Sequence, residues 1–412
     1  MDTRRVRIFI ITAAILGATL GGPAISVAQP ATPAPTQKEA PTPKVTPYGI
    51  VFFNLFSNDH ASNNADVPLW ALSGAGNMSA SGRQSRFGLR VTGATFRSAS
   101  VSAVVEADFF GGFPAVGIGD NMGVVRLRLA NARLDWKRGS LVAGQDWMVF
   151  APLNPLSNAA AGIPLLAAAG NPWSRMPQIR GEWRMPGLLF QGAVLAPSTG
   201  DFGSAFFYQP GTGALSERPF LQGRAAYTRA SLGGVKKPAT VAVSGHYGRS
   251  RVLSPIDRVV DSRGLAADWS APLGRKVTIT GEAFAGRNLA AFQAGVFQGV
   301  NAEGAIAGGQ GLVLDGPRSI RTRGGWTQVA GAVTPTVTVT GAWGLDDPVD
   351  EDLLAVSRRE ARLRNTAVSA GFQHKASAQI TWGVEFRHLV TTLLVAGRRT
   401  DNHINLAVTF GF

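Results

Sequence analysis

From Tyr48 onward, apolar and polar residues alternate one by one in short runs. In Val277 to Ala285, Val277, Ile279 and Ala283 share one face, and Thr278, Thr280 and Glu282 the other. Val337, Val339 and Trp343 oppose Thr338 and Thr340, and Ile380, Trp382, Val384 and Phe386 oppose Thr381, Glu385 and Arg387. Ile404, Leu406, Val408, Phe410 and Phe412 oppose Asn405, Thr409 and Gly411. A period of two marks β-strands with unlike faces. The pattern predicts sixteen strands: 48–56, 83–92, 99–109, 124–136, 139–147, 178–184, 187–196, 220–229, 238–248, 258–270, 274–286, 324–333, 336–345, 362–374, 377–390 and 401–412. Strands of about ten residues with one strongly apolar face suit lipid outside and water inside.

The connections narrow the architecture further. After even strands they are short, with Lys137-Arg138, Met185-Pro186, Pro272-Leu273, Thr334-Pro335 and Lys375-Ala376 in or beside the turns. After odd strands they are long: 57–82, 110–123, 148–177, 197–219, 287–323 and 346–361. Short turns alternating with long loops characterise an outer-membrane barrel, and a soluble β-sandwich gives no reason for them. The predicted fold is therefore all-β, a transmembrane antiparallel β-barrel of about sixteen strands. Phe412, with Phe410 and Val408 on its face, resembles the terminal signal read by barrel-assembly machinery.

The N-terminal residues give the expected compartment. Arg4, Arg5 and Arg7 precede an apolar core, Ile8 to Leu20, and Ser26-Val27-Ala28 places small residues where signal peptidase reads them. Residues 1–28 are expected to be a secretory signal, 29–47 a Pro-rich periplasmic tether (Pro33, Pro35, Pro41, Pro43 and Pro47), and 48–412 the barrel. No later run is long enough for a transmembrane helix; Ala159 to Gly170 is short and interrupted by Gly162 and Pro164. Cysteine is absent, so stability has to come from something other than disulfides, and a closed hydrogen-bonded barrel supplies it.

Charge adds a preference. The chain carries +14, or +12 once residues 1–28 are removed, and only seven of its 40 basic residues are Lys. Behind an export signal, nucleic acid is not the expected partner. Small anionic solutes and lipopolysaccharide phosphates are, because Arg grips carboxylate and phosphate with paired hydrogen bonds. With Phe87 and Leu89 outward, Arg86 and Arg90 face in; on the next strand Glu106 and Asp108 face in. With Leu127 and Leu129 outward, Arg126 and Arg128 face in, and Ile179 and Trp183 leave Arg180, Glu182 and Arg184 inside. Arg224 and Arg387 continue the set. Glu106 and Asp108 are expected to pair with some of Arg86, Arg90, Arg126 and Arg128, leaving a net positive wall.

The loop 148–177 lies between strands five and six and is too apolar for an external loop in water. It runs through Pro152, Asn154 and Pro155 to Asn171, Pro172, Trp173 and Arg175. Folded into the lumen it would constrict the pore; packing at a subunit interface is the other reading. Asp346, Asp347, Asp350, Glu351 and Asp352 crowd another loop, where a solvated acidic surface is favoured over a Ca²⁺ site. Five scattered His without Cys offer no metal-ligand spacing, and no cofactor or nucleophilic triad nominates itself, so no enzyme is expected.

These same segments carry a family resemblance. Arg83-Gln-Ser-Arg-Phe-Gly-Leu, Glu106-Ala-Asp-Phe-Phe-Gly, Arg126-Leu-Arg-Leu-Ala and Leu141-Val-Ala-Gly-Gln-Asp-Trp147 resemble the N-terminal half of the DcaP-like outer-membrane porins, over residues 83–183. The resemblance implies a sixteen-stranded homotrimer with a positive constriction that passes small anions such as dicarboxylates. Members of that family carry a coiled-coil-prone segment before the barrel, where this chain has its Pro-rich tether. The reading at this point is a diffusion porin favouring small anions. Beside it stand a specific channel for neutral or aromatic compounds, with Trp147 and Trp173 as a slide, and a surface-binding or structural barrel that conducts little.

Overall fold

The computed structural model describes residues 42–112, 123–197, 211–253, 256–302, 305–308, 311–314, 316–353 and 360–412. The expected signal, the tether through residue 41, most of 110–123, part of 197–219, and 354–359 of the expected loop 346–361 lie outside the described residues.

The strands close into one antiparallel barrel. In chain order they are β1 (Lys44–Ser62), β2 (two segments, Ala71–Ser81 and Arg86–Phe96), β3 (Ala99–Asp108), β4 (Arg126–Asp135), β5 (Gly139–Trp147), β6 (Arg175–Met185), β7 (Leu188–Leu195) and β8 (Phe220–Arg229). They continue with β9 (Ala239–Val252), β10 (Arg258–Pro272), β11 (Val277–Arg287), β12 (Arg321–Ala332), β13 (Val337–Pro348), β14 (Arg362–Lys375), β15 (Ile380–Leu393) and β16 (Gly397–Gly411). Each pairs with the next, and β16 returns to β1 through Ile50↔Gly411 to Asn58↔His403. Both segments of β2 pair with β1, the first with its later residues and the second with its earlier ones, so together they fill one of sixteen positions. The amides of Gly49 and Phe412 exchange two hydrogen bonds of 3.1 Å, and this completes the seam.

The alternation in sequence becomes an alternation in exposure. Phe53, Leu89, Val105, Ile179, Val243, Val339, Val384 and Phe410 all stand exposed on one face around the barrel. A soluble monomer rarely shows so large a continuous apolar surface, and a bilayer is the solvent that suits it. No described helix is long and apolar enough to cross a membrane, so the strands do the crossing.

Two departures from the sequence reading concern β2 and the loops. The stretch 57–82, expected as one long loop, contains the last residues of β1 and the first segment of β2. Its Ser73-Gly74-Ala75-Gly76-Asn77 run has too few large apolar residues to display a period, and it is held by backbone pairing to β1. At the other departure, the connections after β9 (253–257) and β15 (394–396) are short, so long loops do not follow every odd strand.

Three loops share cores. Phe150 of the segment after β5 packs with Phe292 of the β11–β12 connection and with Phe220, Phe284 and Leu195. Val67 and Leu69 (β1–β2 connection), Ile163 and Trp173, and Val296 make a second core, flanked by Trp70 and Trp147. Leu165, Leu166 and Ala169 pack on Trp326, Ala342, Ala367 and Leu389 of β12 to β15. Glycine makes the last contact fit. A Cβ on Gly344 would stand 2.0 Å from the Ala169 carbonyl oxygen, and one on Gly170 (φ +97°) 2.0 Å from that of Gly325.

Candidate functional site

The polar face of β2 to β6 carries a lattice of arginines and carboxylates. Asp108, fully buried, accepts from Arg126 Nε (3.0 Å) and Nη2 (2.7 Å) and from Arg128 Nη1 (2.7 Å). Arg128 Nε donates to Glu106 (2.7 Å), which also accepts from the Tyr48 hydroxyl (3.1 Å). Arg180 reaches Asp146 (2.8 Å) and Glu182 (3.1 Å). Arg184 pairs with Asp135 and donates to the Trp136 and Gly139 carbonyls. Charge-assisted, partly bidentate bonds of this kind lock the side chains as a rigid wall.

A β-bulge shapes this wall. Ala107 pairs with Leu127 and Glu106 with Leu129, so Arg128 is an extra residue on β4. It thereby reaches both Glu106 and Asp108. The bulge also inverts the alternation that follows: Leu129, expected outward, aligns with Glu106, and Arg133 comes onto the polar face. Arg133 donates to Asp135 and Glu182, each at 2.8 Å. Period-two counting alone misses it.

The carboxylates choose among the expected arginines. Glu106 and Asp108 take Arg126 and Arg128, whereas Arg86 and Arg90 form no ion pair among the described residues. Arg90 lies 5.0 Å over the Tyr48 ring instead. Arg224 and Arg387 are neutralised by Asp268 and Glu385. Arg175 forms no ion pair among the described residues. Its guanidinium sits 4.8 Å from the Trp147 ring and 5.2 Å from the Trp173 ring, within electrostatic reach of Arg126 and Arg128 and of the carboxylates they pair with, Asp108 and Glu106. Arg175 Nη1 and Trp173 Nε1 are both buried donors without an acceptor.

Backbone and side-chain groups of 149–162 bond, in chain order, to positions around the barrel. Val149 and Phe150 donate to Gln222 (β8), Ala151 to Ser244 (β9), Leu153 to Glu282 (β11) and Leu156 to Gln328 (β12). Ser157 then donates to Glu385 (β15) and Asn158 to the Ala407 carbonyl (β16). Ala161 and Gly162 donate to Gln84, and the Gly162 carbonyl accepts from Arg126 (2.7 Å). The face these residues share is the one turned away from the exposed apolar band. Asn154, singled out in the sequence, accepts from Asn171 at 3.3 Å. The wall residues that hold the loop were legible only as polar positions on strands.

Elsewhere the chemistry is structural. Asp346 lies on β13 rather than in a loop, accepting from the Gly295 and Val296 amides and from Thr322. No group of His and acids able to hold a metal ion occurs among the described residues. His246 and Ser262 touch at 2.9 Å, but the other ring nitrogen of His246 has no partner, and Phe150, Phe220 and Phe292 surround it. Without a carboxylate to orient the imidazole, this is not a triad. Phe410 and Phe412 stand exposed near the seam.

No protein-family model and no curated sequence matches the chain. Solved structures do. The outer membrane channel DcaP of Acinetobacter baumannii is 15% identical, covering 90% of this chain and 97% of its own, with a TM-score of 0.65. An anion-selective porin from Comamonas acidovorans is 14% identical, with 90% and 100% covered and a TM-score of 0.56. OmpT, an outer membrane protein of Vibrio cholerae solved in a trimer form, is 10% identical, with 90% and 99% covered and a TM-score of 0.54. The chain has the fold of these outer-membrane barrels, and the resemblance read from residues 83–183 extends to DcaP as a fold over nine-tenths of its length.

Proposed function

We propose that this protein is an outer-membrane porin that passes small hydrophilic solutes and favours anions, carboxylates among them. The observation that carries the reading is the Arg175 environment: two orphaned donors, Arg175 Nη1 and Trp173 Nε1, beside the Arg126 and Arg128 lattice. Buried donors without acceptors are costly, and a carboxylate oxygen arriving between them would satisfy both. The segment 148–174 lies inside the barrel and narrows the lumen against this wall. Arg86, which faces Asp108 across the ladder but forms no ion pair among the described residues, adds a second cation to this wall. Fields are focused where walls of low dielectric surround them, so a small excess of positive charge selects effectively. The anion-selective porin among the similar folds supports this reading.

The same fold in trimer form supports a homotrimer, and the first segment of β2, paired among the described residues to β1 alone, offers a surface for it. The three loop cores favour a second reading, a barrel that conducts little, because Phe292, Val296 and Leu165 are almost wholly enclosed. Liposome swelling with matched solutes separates the readings. Faster entry of a dicarboxylate than of a neutral solute of equal size is expected. Equal rates point to unselective diffusion, faster aromatic entry to a Trp147–Trp173 slide, and no swelling to a closed barrel.

A further inference from the structure

The outward face of β10 to β12 carries a feature unrelated to the lumen. Arg263 lies directly opposite Arg287 in the β10–β11 ladder, and Arg287 directly opposite Arg321 in the β11–β12 ladder. All three are exposed, on the same face as Leu265 (74% exposed) and Ala285. Like charges facing each other across strands are destabilising, and here three stand in a row. The flanking members have counter-charges: Asp261 on Arg263 (2.6 Å), and Asp352 on Arg321 (2.8 and 3.0 Å). Arg287, between them, has no carboxylate among the described residues. A groove of about 740 Å³ opens there, lined by the three arginines together with Arg323 and Leu265.

We infer that this groove binds a phosphate of a lipid headgroup, with Arg287 as the central contact. An anion there would relieve the repulsion in the row, and guanidinium groups grip phosphate oxygens with paired hydrogen bonds. Position selects a lipid over free phosphate. The row lies at the long-loop end of the strands, where the exposed apolar band gives way to charge, and Leu265 beneath it would meet an acyl chain. In an outer membrane that end faces the leaflet of phosphorylated glycolipid. The inference rests on the membrane-spanning barrel and not on conduction, so a barrel that conducts nothing would leave it standing.

The test uses the full chain folded in detergent micelles, with binding and thermal unfolding measured against phosphorylated lipid A, dephosphorylated lipid A and inorganic phosphate. Phosphorylated lipid A is expected to bind saturably and raise Tm, with R287Q weakening it at least tenfold and the dephosphorylated lipid binding at least tenfold more weakly. Without lipid, R287Q is expected to melt no lower than the parent, because the repulsion is gone; a merely structural arginine would give the opposite. R287K keeps the charge but not the fork, and serves as the binding test should R287Q misassemble; an intermediate affinity is expected. Equal binding by parent and variants, equal binding of the dephosphorylated lipid, or inorganic phosphate competing as well as lipid A would each overturn the inference.

Discussion

Arg175 stacks on two tryptophan rings and forms no ion pair among the described residues, while its neighbours Arg126 and Arg128 share Asp108. That division sets opposite expectations for charge removal. Asp108→Asn takes the buried counter-charge from two arginines, and breaking a buried pair in this way costs about 3–5 kcal/mol. A lower urea midpoint together with stronger anion preference is expected; unchanged stability would show that the lattice is not structural. Arg175→Gln should weaken anion preference with little loss of stability, checked in bilayers and by thermal melting. At the rim, burial pushes the Asp352 carboxyl up, but hydrogen bonds from Arg321 outweigh this and hold it below the usual carboxylate range. A depressed folded pKa stabilises above the unfolded value, about 3.9, and that stability is lost as pH falls through the lower folded value. Melting between pH 5 and 2 should therefore fall more steeply in the parent than in Asp352→Asn. The sequence made Arg126, Arg128 and Arg180 readable as inward residues because their parity is simple. Arg133 was hidden because a one-residue bulge reverses parity after Arg128, and nothing local announces a bulge.

At the scale of elements, the segment after β5 is the decisive one. Its apolar composition already argued against water on all sides, but its path depends on Gln222, Ser244, Glu282, Gln328 and Glu385, which are separated from it by tens to hundreds of residues. Such pairings appear only when the barrel closes. Gly344→Val would fill the space that the Ala169 carbonyl occupies and push the segment off β13. A several-fold larger single-channel conductance with normal barrel assembly is expected, and an unchanged conductance would mean that 168–170 does not define the opening. Phe292→Ala removes the ring shared by two loops, with a loss of about 3–5 kcal/mol from that core. Increased proteolysis within 288–320 and an intact barrel would be its signature. Strands with strong apolar faces were legible throughout. The first segment of β2 was not, since its small residues are placed by the partner strand and not by their own preference.

For the whole molecule, closure replaces what disulfides would supply. Apart from the first segment of β2, the strands are paired on both sides along most of their length, β16 to β1 included, so little strand edge remains as a place for unfolding to begin. The apolar exterior faces lipid, and the interior holds an arginine lattice against a loop anchored around the wall. The central claim is that this interior conducts and prefers anions. Reversal potentials across a planar bilayer under a salt gradient test it most directly. A potential on the anion-selective side, moving toward zero in Arg175→Gln, is predicted; cation selectivity, or no conductance from correctly folded protein, would contradict it.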